Sequence, residues 1–202
     1  MTITSFKIDN IILNYQGDHT GLGSIDLGKM SVVSMGPHYF PLGDLTRFGI
    51  YREGEDFSDV EESSTRISGW TKLIACDRSF GSGATWINFS AEKTSSDIFL
   101  QASFENGKGE DPFAFVFFVK ADEIKISDKR FVKGALSSFQ GMGSSVDMIS
   151  GCDITVLSLQ FKAPVQIIPL AGGDFFWGAD FLIAFEIHDL DKKYLWALRK
   201  SV

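Results

Sequence analysis

Pro112-Phe113-Ala114-Phe115-Val116-Phe117-Phe118-Val119 reads as a β-strand with two apolar faces. Phe113, Phe115 and Phe117 project one way, and Ala114, Val116 and Phe118 the other. A strand of this kind belongs inside a covered sheet, because a solvent-facing sheet shows a polar residue at every second position. Residues 181–187 repeat the pattern. There Phe181, Ile183, Phe185 and Ile187 form an apolar row, while the opposite face ends in Glu186 and His188. Residues 153–162 differ, setting Leu157, Leu159 and Phe161 against Ser158 and Gln160, so one side of that strand faces water.

Working outward, the same short alternation recurs at residues 3–15, 30–35, 66–75, 84–91, 97–105, 113–120 and 165–170. Glycine-rich pieces separate these segments at 16–29, 106–112 and 134–145 and predict turns. Nearly every window that spaces apolar residues for a helix is broken by Gly or Pro. The expected fold is therefore all-β, an antiparallel β-sandwich or jelly-roll-like barrel, in a single domain over residues 1–202. The tail alone is ambiguous. Leu190, Tyr194 and Leu198 stand four apart behind an Asp189 cap, which suits a short C-terminal helix, whereas residues 194–199 also suit a strand hairpinned onto 181–188.

Composition narrows the function classes. The 19 Phe residues and the short runs of β-branched residues favour strands. A net charge of −7 argues against a phosphate-backbone ligand, which needs clustered Lys and Arg, so no nucleic-acid partner is expected. No apolar run approaches the roughly 20 residues of a membrane-spanning helix. The start, Met1-Thr2-Ile3-Thr4-Ser5-Phe6, lacks the pattern of a signal peptide, and a cytoplasmic location is expected. Cys76 and Cys152 are too few for a disulfide scaffold or a four-cysteine zinc site and read as two free thiols.

Several motifs fail on inspection. Gly23 to Lys29 has phosphate-loop spacing, yet Met30 stands where a hydroxyl should bind magnesium, and a strand follows where a helix is needed. The acidic stretch at 53–62 lacks EF-hand spacing and reads as a solvated loop. His19, His38 and His188 are scattered, so no metal and no cofactor is expected. Arg78-Ser79-Phe80-Gly81-Ser82-Gly83 is a turn and not a nucleophile elbow.

What remains is aromatic and acidic. Asp174-Phe175-Phe176-Trp177-Gly178-Ala179-Asp180 sets three aromatics between two carboxylates, and Trp70 and Trp86 lie in strand segments. Aromatic faces beside hydrogen-bonding groups suit sugar rings and peptides. The candidate ligand-binding residues are Trp177, Phe176, Asp174, Asp180, Trp70 and Trp86. The functional expectation is a non-catalytic all-β binding or accessory domain taking a carbohydrate or protein ligand. Two other classes stay open. One is a homo-oligomeric assembly protein whose second subunit covers the doubly apolar strands. The other is a hydrolase or lyase using paired carboxylates such as Asp77, Asp174 and Asp180, which for glycoside hydrolysis would stand about 5 Å or about 6.5–9.5 Å apart.

Overall fold

The computed structural model describes residues 5–8, 11–14, 22–39, 49–53, 58–75, 84–95, 97–105, 113–150, 155–170, 175–187 and 193–201. Sixteen strands run through them: β1 (Ser5–Ile8), β2 (Ile11–Asn14), β3 (Gly23–Leu27), β4 (Met30–Tyr39), β5 (Gly49–Glu53), β6 (Ser58–Glu62), β7 (Arg66–Ala75), β8 (Ala84–Lys93), β9 (Asp97–Glu105), β10 (Phe113–Lys120), β11 (Glu123–Ile126), β12 (Lys129–Val132), β13 (Phe139–Ser150), β14 (Thr155–Pro169), β15 (Phe181–Ile187) and β16 (Tyr194–Ser201). A short 3-10 turn occupies Phe175–Gly178. Every strand pairing is antiparallel.

The pairings build a sandwich with shared margins. One layer runs β3-β4-β10-β15-β14, and the other runs β7-β8-β9-β16-β14. Strand β14 belongs to both because β15 pairs with its residues 165–169 and β16 with its residues 156–160. Strand β13 takes its opposite edge at both ends. Between the two halves Ala163 faces Gly143 and Gln160 faces Ser145, so two residues of β14 oppose one of β13. Such a bulge bends and twists a strand, which lets β14 turn from one layer into the other. At the far side β5 joins β4 to β7.

The core lies between the layers. Phe115 and Phe117 of β10 meet Trp196 of β16 at ring distances of 4.4 and 5.6 Å, and Phe115 stacks on Phe89 of β8 at 5.7 Å. Ile183 and Phe185 of β15, Leu100 of β9 and Val165 of β14 complete it. Strand β10 is central, as its sequence requires, with β15 on one edge and β4 on the other.

Its second face is buried as well. Ala114, Val116 and Phe118 join Leu182, Ala184, Ile168 and Ala179 in a separate apolar cluster, against which Val33, Leu170, Phe176 and Trp177 pack. Ala114, Val116, Phe118, Leu182 and Ala184 are all 0% exposed in the lone chain, so this chain supplies their cover itself.

Local expectations change or resolve at five places. The tail is strand β16 and not a helix, because Trp196 and Leu198 alternate into the core while Leu195 and Arg199 face out, and it is not hairpinned onto 181–188, since it pairs with β9 and β14. The glycine-rich piece at 134–145 contains the start of β13. Gly141 sits there because a Cβ would come 2.9 Å from the Phe139 ring, so the glycine is a berth for an aromatic and not a turn. The described part of 16–29, residues 22–29, contains β3 and turns at Gly28-Lys29, with Gly28 at φ +80° and its N–H donating to the Asp26 carboxylate at 2.9 Å. Within 53–62, the acidic loop yields edge strand β6, paired to β7. The segments 153–162 and 165–170 also merge, across Ala163-Pro164, into β14.

Candidate functional site

The six candidate residues separate into two groups on different layers, with Asp174 outside the described residues. The first group is the turn at Phe175–Gly178. Phe176 (φ 54°, ψ 43°) and Trp177 (φ 58°, ψ 24°) are both left-handed, and Gly178 follows at φ 69°. A left-handed non-glycine residue costs about 1–2 kcal/mol, so the surroundings must hold this turn. They do so through the Phe118 ring. The Phe176 ring stacks on Phe118 at 5.5 Å and 13°, and the Trp177 edge meets the same ring at 4.8 Å and 64°. His38 approaches Phe118 edge-on at 5.4 Å.

Asp180 clamps the C-terminal side of the turn. Its N–H donates to the Val119 carbonyl at 2.9 Å, and its own carbonyl accepts from Leu170 N–H at 2.8 Å. One carboxylate oxygen accepts from the buried Ala121 N–H at 3.2 Å, and the other meets Lys133 Nζ at 2.6 Å. The hydrogen bond and charge of Asp180 hold the Lys133 ammonium above its ordinary range. Both oxygens of Asp180 thus bind the protein itself. A charged residue in a Gly-flanked loop suggests an open site, but Asp180 is 7% exposed because backbone donors and Lys133 compensate its burial.

The second group is Trp70 and Trp86, on the outer face of the β7–β9 layer. Ile87, Phe89 and Ala91 of β8 point into the core, so the alternate residues Trp86, Asn88, Ser90 and Glu92 point out. Register extends this face across the layer. Trp70 of β7 pairs with Asn88, which pairs with Ser103 of β9. Trp86 pairs with Glu105, and Ser90 pairs with Gln101, which pairs with Leu195 of β16. Trp70 and Trp86 are therefore diagonal neighbours, about 7–8 Å apart at the backbone.

Burial distinguishes this face from the first group. Trp70, Trp86, Asn88, Gln101 and Ser103 are half-buried, while Ser68 and Ser90 are recessed at 6% and 5% exposure. Glu105 and Leu195 are exposed. The result is a shallow surface of two indoles beside amides and hydroxyls. Charges of both signs border it: Arg199 Nε donates to the Asp97 carboxylate at 3.0 Å, Arg66 stands opposite Glu92 across the β7–β8 pair, and Trp86 stands between Lys72 and Glu105 in register.

Among the described residues, no group of three or more His, Cys, Asp or Glu could hold a metal ion. His19, His188, Cys76, Cys152 and Asp77 lie outside them, as does Arg78-Ser79-Phe80-Gly81-Ser82-Gly83. His38 is buried, with Nδ1 donating to the Gly36 carbonyl at 3.0 Å, and burial lowers its pKa to about 4. No described helix is long and apolar enough to cross a membrane.

Asn88, Gln101 and Ser103 were missed by reading the sequence for aromatics and carboxylates. Alternation places each on an outer face, but only strand pairing sets them beside the tryptophans.

No known protein family matches the chain, and no curated protein matches it. Among solved structures, 4-alpha-glucanotransferase from Thermococcus litoralis aligns with a TM-score of 0.44 and 10% sequence identity, covering 82% of this chain and 27% of that one. The chain thus spans about a quarter of the length of that enzyme.

Proposed function

We propose that this chain is a non-catalytic all-β binding domain whose ligand is a carbohydrate held on the outer face at Trp70 and Trp86. One observation carries the reading. The tryptophans stand as diagonal neighbours, half-buried, with Asn88 and Ser103 in the cross-strand row of Trp70 and Gln101 farther along β9, on a face the core does not use. Indole faces stack on the C–H faces of sugar rings, and neighbouring amides and hydroxyls exchange hydrogen bonds with sugar hydroxyls.

Phe176, Trp177 and Asp180 take a different part in this reading. Both rings pack on Phe118, and the Asp180 carboxylate is held by Ala121 and Lys133, so this group covers the doubly apolar sheet. Isothermal titration against soluble oligosaccharides, paired with thermal melts, separates the roles. Trp70→Ala and Trp86→Ala are expected to weaken binding at least tenfold with little change in Tm. Trp177→Ala is expected to lower Tm and leave binding intact. Loss of binding in Trp177→Ala alone would move the site to the turn.

A further inference from the structure

We infer that the ligand is a neutral, linear glycan lying across the strands along Trp70, Asn88 and Ser103, with Gln101 as a flanking contact; this rests on the carbohydrate reading above. The direction follows from register. Trp70, Asn88 and Ser103 occupy one cross-strand row over β7, β8 and β9, and Gln101 lies one step along β9 toward Leu195 of β16. Adjacent strands are about 4.8 Å apart and residues rise about 3.4 Å along a strand, so the three-strand row spans about 10 Å and reaches about 12 Å with the step to Gln101. That is the length of a disaccharide to a trisaccharide.

A ligand running along β8 would meet a different series. From Trp86 and Asn88 it would pass to the recessed Ser90 and then to the exposed Glu92. Only the cross-strand row keeps half-exposed hydrogen-bonding groups in line after the first tryptophan. Neutrality follows from charge. Trp70, Asn88, Ser103 and Gln101 carry none, Arg199 is tied to Asp97, and Arg66 faces Glu92. Trp86 stands between Lys72 and exposed Glu105 in register, one charge of each sign, in a chain of net charge −7, which disfavours a polyanion.

The test is isothermal titration with cello-, malto-, xylo- and manno-oligosaccharides of increasing length, with polygalacturonate as the anionic probe and near-UV circular dichroism as the fold check. Expected is binding to a neutral series that tightens up to the trisaccharide and then levels. Ser103→Ala and Gln101→Ala each weaken it about three- to tenfold, the loss of a neutral hydrogen bond. Binding that survives both changes but falls with Glu92→Ala overturns the cross-strand placement and leaves the carbohydrate reading standing. Preference for polygalacturonate overturns neutrality alone. Silence toward every sugar overturns this inference together with the reading beneath it.

Discussion

Trp177 offers an inversion of a usual rule. In most settings glycine is less stabilising than alanine by about 0.5–1 kcal/mol, because it loses more backbone freedom on folding. At φ 58° the order should reverse. Alanine there keeps the left-handed penalty of about 1–2 kcal/mol, whereas glycine carries none. Subtracting the entropic handicap leaves Trp177→Gly more stable than Trp177→Ala by about 0.5–1 kcal/mol. Both lose the edge contact with Phe118. Full truncation of a buried Trp costs about 3–5 kcal/mol, and this one is half-buried, so Trp177→Ala should lose about 2 kcal/mol and Trp177→Gly about 1–1.5 kcal/mol. Urea unfolding, comparing midpoints at unchanged m-value, resolves such a gap. Equal midpoints, or alanine ahead of glycine, would refute the claim that packing on Phe118 holds this turn against backbone strain.

Two further outcomes are expected. His38 has its folded pKa depressed to about 4 against an ordinary 6.5, so between these values the unfolded chain binds more protons. Its contribution is complete above about pH 6.5 and lost as pH falls through the folded value, about 3 kcal/mol in all, and His38→Gln should flatten the stability–pH curve by that amount when urea unfolding is repeated from pH 7 to pH 4. At Asp180, Asp180→Asn should cost about 1 kcal/mol or less because an amide oxygen still serves Ala121 N–H and the Lys133 pair is exposed on one side. Asp180→Ala leaves that buried N–H without its acceptor and should cost about 2–3 kcal/mol by the same unfolding assay, with sugar binding unaffected in both variants.

Much of the layout is legible along the chain wherever burial is one-sided or complete. Strands β7, β9 and β10 coincide with segments read from alternation alone, since a period of two over eight to ten residues has few other uses. Strand β13 is not legible, because Gly141 and Gly143 carry the local signal of a turn, and only the Phe139 ring and the β14 ladder give those glycines a place in a strand. The same limit governs the site. Asp174 to Asp180 drew attention because its aromatics and carboxylates are adjacent in sequence. Yet the described part of that segment is a strained cover, with Phe176 and Trp177 set on Phe118.

By itself, the order of residues determined that this chain is all-β, and that β10 and β15 are covered on both sides. Side-chain polarity at alternate positions reports directly how many faces of a strand avoid water. Tertiary structure decided what covers them, and which aromatics lie half-buried on an outer face. The cover is the chain's own Leu170, Phe176, Trp177 and Ala179, while Trp70 and Trp86 share a face with Asn88, Gln101 and Ser103 only through the register of β7, β8 and β9. Register is a property of pairs of strands. A slip of one residue would turn either tryptophan to the other face.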